Sequence, residues 1–135
     1  MQQVQAIIQT CIDFRVQEAL KNFLEVPLNL YAVEIRSDDG GVKKIFEAGA
    51  DRDLIFQNYE KIIKEQGASK IILINHTDCA AYGGSKAFES LEKEIHEHEI
   101  QIRHAVSAVK AKFPDIEVEA YLVILSNPPT IQKVV

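Results

Sequence analysis

The sequence predicts an α/β fold in three layers, with a mostly parallel central sheet of about four strands flanked by helices. Apolar, β-branched runs alternate with amphipathic stretches, in the order strand, helix, strand, helix, strand, helix, strand. This alternation is typical of parallel strands joined by right-handed crossovers. The length of 135 residues fits one domain with its own core, which we place over residues 1–135.

The first part of the chain supplies two strands and a helix. Residues 4–8 are predicted to form a short buried strand, and residues 16–24 have the apolar spacing of one helix face. Pro27 closes this helix because proline cannot continue its hydrogen bonds. Residues 28–35 form the second strand, and after a glycine-rich turn residues 42–46 are expected to pair back as a short hairpin arm.

A second helix and a third strand follow. The helix begins near Ala50, with Asp51 as its expected N-cap, and it ends at Gly67. Residues 70–75 are almost wholly apolar and β-branched, which predicts a buried strand. This strand leads directly into a polar segment that begins at His76.

The last part of the chain contains a long helix and a fourth strand. Residues 85–112 form a long, charged helix, with Leu91 among its buried residues, that Pro114 ends. Residues 116–125 form a long apolar strand, and the residues after it are expected to form a loose tail.

Three histidines lie on the long helix, and we expect them to be exposed and solvated: His96, His98 and His104. His96-Glu97 begins like a metalloprotease motif, but Ile100 stands where that motif requires its second histidine. A metalloprotease site is therefore not predicted.

Composition limits the classes of partner. The formal net charge is -5 and the basic residues are scattered, so a nucleic acid is not an expected partner. No apolar run approaches the roughly 18 residues that a membrane span needs, and a strand-like run follows the first residues directly, which argues against a signal peptide. We expect a cytoplasmic protein without a membrane partner. The two cysteines are then more consistent with catalysis or metal binding than with a disulfide.

Two predicted strands end at residues that bind metals. Cys11 follows the first apolar run, and His76 and Cys79 follow the third. Sites in such sheets lie beyond the carboxyl ends of the strands, at a switch in strand order. Two thiolates and an imidazole are ligands that zinc prefers, and three protein ligands leave a fourth position open. The alternative is two buried core thiols, because free cysteine is among the most buried residue types.

Asp13 and Arg15 follow Cys11 at alternate positions. In an extended segment these three side chains project to the same side, so Asp13 can reach the open metal position or a water bound there. Arg15 can pair with Asp13, keep it ionised and fix its orientation. The alternative is a structural ion pair that caps the following helix.

Two motifs resemble a known family. Cys11-Ile12-Asp13-Phe14-Arg15-Val16 and His76-Thr77-Asp78-Cys79 resemble the two zinc motifs of the β-class carbonic anhydrases, and residues 66–73 resemble that family's approach to the histidine. The resemblance implies that Zn²⁺ is bound by Cys11, His76 and Cys79. It implies that Asp13 accepts a hydrogen bond from zinc-bound hydroxide, or ligates the zinc in a closed form, and that Arg15 holds Asp13.

The resemblance implies a zinc lyase that reversibly hydrates carbon dioxide to bicarbonate without an organic cofactor. It also implies a homodimer or higher homo-oligomer. Phe14 stands where the family usually has a small residue, and residues 37–39 depart from its usual segment after the second strand. Two other functions therefore stay open. One is a non-catalytic zinc-binding or regulatory protein on the same fold. The other is a hydrolase of a CO2-like molecule such as carbonyl sulfide or carbon disulfide.

Overall fold

One five-stranded sheet forms the centre of the molecule in the computed structural model, which describes residues 2–135. The strands are β1 (Ala6–Cys11), β2 (Val33–Asp38), β3 (Lys70–His76), β4 (Glu117–Ile124) and β5 (Thr130–Lys133). The helices are α1 (Phe14–Glu25), α2 (Lys43–Phe46), α3 (Ala50–Gln66) and α4 (Leu91–Lys112), with short 3-10 turns at Ala80–Tyr82 and Ser85–Ala87. The spatial order is β2-β1-β3-β4-β5, and only β5 runs antiparallel to its neighbour.

Alternate residues of the central strands bury two opposite faces of the sheet. Ile7 and Ile71 pack with α3 and α4 on one face, whereas Ile8 and Ile72 pack with α1 on the other. Each of these isoleucines is fully buried, and burial of such a side chain stabilises the fold by about 1.5–3 kcal/mol. The predicted α/β fold, with helices on both faces of a mostly parallel sheet, is confirmed.

The register of β1 and β3 opens a crevice between their carboxyl ends. Their last paired residues are Gln9 and Leu73. Beyond this pair, Cys11 continues beside β2 and His76 continues beside β4. The chain crosses from β1 to β2 on one side of the sheet and from β3 to β4 on the other. The switch in strand order therefore falls between β1 and β3, where ligand sites form in sheets of this kind.

The C-terminal segment is a strand and not the expected loose tail. Thr130–Lys133 pairs antiparallel with β4, for example through Tyr121 and Lys133. Val134 is buried against the α3–α4 side of the core, and its backbone N–H donates to Ala120 O. The sheet therefore has five strands and not about four, because contacts with β4 order a four-residue strand that is too short to be predicted on its own.

Two expectations in the first half were also wrong. Residues 42–46 do not form a hairpin arm, because the backbone N–H groups of Lys43, Ile45 and Phe46 bond locally and make the short helix α2. The second strand is Val33–Asp38 instead of residues 28–35. After α1 the chain turns back on the helix end, where Leu30 N–H donates to Leu24 O. This turn occupies the first residues of the predicted strand.

The helix ends agree with the sequence in part. Gly67 ends α3 in the left-handed conformation (φ 71°), as predicted. The N-cap of α3 is Gly49 and not Asp51, which lies inside the first turn. The long helix begins at Leu91, where the Ser90 side chain accepts a hydrogen bond from Lys93 N–H. Leu91 was expected to be buried, but it is 54% exposed.

Within residues 2–135, none of the helices is long and apolar enough to cross a membrane.

Candidate metal centre

Three side chains with metal-binding atoms meet at the carboxyl ends of β1 and β3. Cys11 is the last residue of β1, His76 is the last residue of β3, and Cys79 follows in the next loop. Their ligand atoms all lie within 4.8 Å of one another, and the two sulfur atoms are 3.9 Å apart. All three residues are buried. The structure therefore brings together the residues that the sequence predicts as metal ligands.

The loop after His76 turns Cys79 back toward Cys11. Asp78 has a positive φ of 55°, which is uncommon for a residue other than glycine. The Cys79 carbonyl accepts hydrogen bonds from the backbone N–H groups of Tyr82 and Gly84. The turn that follows Cys79 therefore has its own backbone hydrogen bonds.

The hydrogen bond at one ring nitrogen of His76 fixes the state of the other. Nδ1 lies 2.6 Å from the Thr77 carbonyl oxygen, which can only accept, so Nδ1 carries the proton. In the neutral ring Nε2 then presents a lone pair, and this buried atom has no hydrogen-bond partner within residues 2–135. Metal-binding histidines are commonly oriented in this way, through a hydrogen bond from their other nitrogen.

The two thiols share a hydrogen bond that separates their acidities. The hydrogen bond between the two sulfur atoms lowers the pKa of Cys11, although burial opposes this shift. The same bond, together with burial, raises the pKa of Cys79. Burial lowers the pKa of His76, but its contacts with Cys11 and the Thr77 carbonyl outweigh this and raise it overall. A cation at this position would favour the ionised form of both thiols.

Asp13 and Arg15 form a two-point ion pair beside this cluster. Arg15 Nη2 donates to Asp13 Oδ2 (2.8 Å), and Arg15 Nε donates to Oδ1 (3.1 Å). The side-chain hydrogen bond from Arg15 lowers the pKa of Asp13 to about 2. Asp13 is also the N-cap of α1, because Oδ1 accepts a hydrogen bond from Arg15 N–H (2.9 Å). The capping role that the sequence left open is therefore present together with the ion pair.

Asp13 lies next to the three-residue cluster but outside it. Its Oδ2 is 4.0 Å from His76 Nε2, and the group whose ligand atoms all lie within 4.8 Å contains only Cys11, His76 and Cys79. Metal ligation by Asp13 stays a prediction.

The geometry of the cluster fits zinc. Zn–S bonds of about 2.3 Å in a tetrahedral site place two sulfurs about 3.8 Å apart, and the observed separation is 3.9 Å. The unpartnered Nε2 of His76 supplies a third donor. An open depression of about 620 Å³ adjoins the site, and its lining comprises Cys11, Ile12, Asp13, Phe14, Arg15, Asp39 and Ala80. A fourth ligand position would therefore be reachable from solvent.

One of the three histidines on the long helix is not exposed, contrary to the sequence-based expectation. His96 and His104 are exposed, but His98 is fully buried. His98 packs edge-on to Tyr82, with ring centroids 4.6 Å apart, and its Nδ1 lies 3.1 Å from Asn75 Nδ2. Burial lowers the pKa of His98 to about 4. Its place could have been found from the helical period, because the buried Ile102 lies four residues further on.

Asp78, which lies within the second motif but has no predicted role, also contacts the site. Its Oδ2 accepts a hydrogen bond from Arg15 Nη1 (3.1 Å), and its carbonyl oxygen accepts one from Arg15 Nη2 (3.1 Å). Arg15 therefore contacts both segments that carry the cluster.

The fold and the site together define an α/β protein with a candidate metal centre at the switch point of its sheet. The sequence model of the family described as "Putative carbonic anhydrase" matches residues 1–130. The chain belongs to this family. No functionally curated protein matches the sequence.

Solved structures of β-carbonic anhydrases have the same fold. Carbonic anhydrase from Streptococcus mutans is similar with a TM-score of 0.67 and 18% identity, over 99% of this chain and 83% of that one. β-Carbonic anhydrase isoform I from Trichomonas vaginalis is similar with a TM-score of 0.66 and 16% identity, over 99% of this chain and 84% of that one. A structure from work on two tetrameric β-carbonic anhydrases of Sordaria macrospora is similar with a TM-score of 0.56 and 13% identity. The similarity covers 98% of this chain and 81% of that one.

Proposed function

We propose that this protein is a zinc-dependent carbonic anhydrase that hydrates carbon dioxide reversibly to bicarbonate. The observation that carries the proposal is the convergence of Cys11, His76 and Cys79, whose ligand atoms lie within 4.8 Å of one another. Membership of the carbonic anhydrase family supports the same activity. The two thiolates and the free His76 Nε2 would hold the ion. When bound, zinc lowers the pKa of a coordinated water to about 7 and so supplies hydroxide at neutral pH.

Asp13 is the proposed catalytic carboxylate. Its pKa of about 2 keeps it ionised at neutral pH, so it can only accept hydrogen bonds. From its position beside His76 Nε2 it can accept the hydrogen bond of the attacking O–H group and direct the oxygen lone pair at the carbon of CO2. Arg15 holds both Asp13 oxygens and so keeps the carboxylate oriented.

The mouth of the depression suits a small apolar substrate. Ile12 is 59% exposed and Phe14 is 77% exposed, and both line the depression together with Ala80. Carbon dioxide carries no net charge and makes no strong hydrogen bonds, so an apolar approach favours it over water-like ligands.

The test is metal analysis of the purified protein followed by stopped-flow CO2 hydration. We expect one zinc per chain and a hydration rate that is lost when a chelator removes the metal. Cys79→Ser and His76→Ala should lose zinc and activity, whereas His96→Ala, which alters an exposed histidine, should keep both. A zinc-free wild-type protein would overturn the metal centre. A stable zinc protein without hydration activity would leave the non-catalytic zinc-binding function.

Hydrolysis of carbonyl sulfide or carbon disulfide is a second candidate. The exposed Phe14 ring makes the mouth more apolar than a small residue would, and sulfur-containing CO2 analogues are larger and more apolar than CO2. Sulfide release from carbonyl sulfide by the zinc protein, at a rate above its CO2 hydration, would favour this candidate.

We also propose a homodimer or higher homo-oligomer that works in the cytoplasm. β2 is an edge strand of the sheet, and Ile35 on it and Tyr31 before it are 51% and 68% exposed. Exposed edges with apolar side chains commonly find a partner. The Sordaria macrospora relatives are tetramers. A reducing compartment would keep the two cysteines available for a metal. Light scattering after size exclusion would measure the assembly.

A further inference from the structure

Arg15 is held on two edges by two different loops. Asp13, which precedes it on the β1–α1 loop, accepts from Nε and Nη2. Asp78, on the loop between His76 and Cys79, accepts from Nη1 with its carboxylate and from Nη2 with its carbonyl. The guanidinium therefore lies between the two segments that carry the candidate metal ligands. Because its donors form a rigid planar fork, contacts on both edges fix its orientation.

Asp78 is itself held in place by a buried carboxylate. Its backbone has a left-handed φ of 55°, a conformation that costs energy for residues other than glycine and persists only where neighbours enforce it. Its N–H donates to Glu94 Oε2 (2.7 Å), and Glu94 on α4 is only 1% exposed. Ser85 completes the arrangement, because its hydroxyl donates to Glu94 Oε1 and its N–H donates to Asp78 Oδ1.

We propose that Asp78 and Glu94 are positioning residues for the candidate metal centre. Asp78 holds the far edge of Arg15, Arg15 sets where the Asp13 carboxylate lies, and Glu94 holds Asp78. This inference rests on the proposed function for its consequence at the metal. Its geometric part, the clamping of Arg15, belongs to the metal-free protein and can be measured there.

The deep burial of Glu94 supports a function for this residue. Carboxylates are rarely so buried unless they are paired or hydrogen-bonded, because removal of the charge from water is costly. Glu94 uses its two oxygens on the loop between His76 and the long helix, and no salt bridge to it is found among residues 2–135. Its contacts therefore serve the conformation of the loop that carries His76 and Cys79.

The first test is hydrogen exchange of the Arg15 Nε–H group, measured by NMR on the metal-free protein. Asp78→Asn is the suitable variant, because asparagine tolerates the left-handed conformation and keeps an oxygen for Ser85 N–H. We expect exchange about tenfold faster than in the wild type, because the guanidinium loses the charge-assisted hydrogen bond at Nη1 and so opens more often, although Nε–H keeps Asp13 as its partner. Asp115→Asn, at an exposed position after α4, is the control and should leave the exchange unchanged.

A matched pair at Glu94 tests the second step. Glu94→Ala leaves Asp78 N–H and the Ser85 hydroxyl without their partner, so Arg15 exchange should accelerate to the same degree as in Asp78→Asn. Glu94→Gln keeps an oxygen for Asp78 N–H and an amide that can donate to Ser85 Oγ, so it should restore slow exchange. Unchanged exchange in both Asp78→Asn and Glu94→Ala, with wild-type circular dichroism, would overturn the proposal.

The third measurement reports the metal position. Cobalt(II) is used as a spectroscopic probe, and the visible spectra of the loaded wild type, Asp78→Asn and Glu94→Gln are compared. We expect a shifted spectrum in Asp78→Asn and a wild-type spectrum in Glu94→Gln. Identical spectra in all three would show that Asp78 does not influence the metal, which overturns the positioning role. If the wild type binds no cobalt, the proposed function is wrong, while Arg15 exchange still decides whether the clamp exists.

Discussion

Two buried histidines, His76 and His98, differ in chemistry although they are equally buried. His76 is 1% exposed and His98 is 0% exposed. His76 donates from Nδ1 to the Thr77 carbonyl, which leaves a lone pair on Nε2 facing the thiols. His98 accepts at Nδ1 from Asn75 Nδ2, so its Nε2 carries the proton and cannot bind a metal.

The amide of Asn75 decides the state of His98. Its Oδ1 accepts a hydrogen bond from Val42 N–H (2.9 Å), so its nitrogen must be the atom that faces His98. The residues around the two histidine rings also differ. Tyr82 and Phe88 flank the His98 ring, whereas Cys11 and Asp13 lie beside His76. Burial alone therefore does not identify a ligand; the partner of the other ring nitrogen does.

The largest contrast is expected in metal binding. His76→Ala should weaken zinc affinity by more than about 100-fold, the upper range for loss of a supporting contact, because it removes a ligand. His98→Ala should still bind one zinc per chain. Competition with a chromophoric chelator measures both affinities. Equal losses in the two variants would contradict the distinction between the histidines.

A smaller effect is expected for the carboxylate beside His76. Asp13→Asn should lower CO2 hydration by about 100-fold, because an amide can present its N–H in place of an acceptor, while zinc content stays at the wild-type level. Glu97→Gln, which removes a carboxylate near His98, is the matched control and should keep the activity. Stopped-flow assays would measure both, and full activity in Asp13→Asn would contradict its catalytic role.

The pH dependence of stability should differ between wild type and His98→Leu. The pKa of His98 is about 4 in the folded state, against an ordinary value of 6.5, because burial disfavours the charged ring. The unfolded chain thus binds the extra proton between these values, and folding stability falls as the pH drops from 6.5 to 4. The pKa difference of about two and a half units lowers the free energy of unfolding by at most about 3 kcal/mol.

His98→Leu should lack this pH-dependent loss of stability, because leucine does not titrate. The variant keeps Glu94 and Glu97, whose charges favour protonation of His98 in the wild type. Urea denaturation of the metal-free proteins at several pH values measures the difference. Parallel stability curves for the two proteins over this range would show that His98 does not titrate as the structure indicates.

The smallest effect is expected at His96, the exposed histidine on the same helix. His96→Ala should change the free energy of unfolding by no more than about 0.5 kcal/mol, because surface substitutions away from special contacts have little effect. Zinc content should not change. Denaturation and metal analysis would compare this variant with His98→Ala. A loss of stability as large as that of His98→Ala would show that exposure does not distinguish the two positions.

Much of the site was predictable because it depends on where strands end. Cys11 and His76 each follow an apolar run, and parallel strands bring such positions to one edge of the sheet. The distances within the cluster were not predictable, because they depend on the divergence of β1 and β3 after Gln9 and Leu73. The roles proposed for the ligands, and the single domain over residues 1–135, stay predictions.

Other features depend on contacts that a local pattern does not contain. Thr130–Lys133 becomes a strand only through its pairing with β4. The contact between Arg15 and Asp78 joins residues 63 positions apart in the chain. His98 was missed although its helical spacing from Ile102 was visible, because a histidine in a charged helix is more often solvated. Sequence patterns thus located the site, and tertiary contacts determined its surroundings.

The double use of Asp13 has a consequence for how this position can vary. One carboxylate begins α1 and also faces the candidate metal, so most replacements would alter helix stability by about 1 kcal/mol together with any chemistry. Selection for a new reaction at this site would therefore meet a folding penalty at its first step. Only side chains that can still start a helix, such as asparagine, serine or threonine, let the two traits evolve separately.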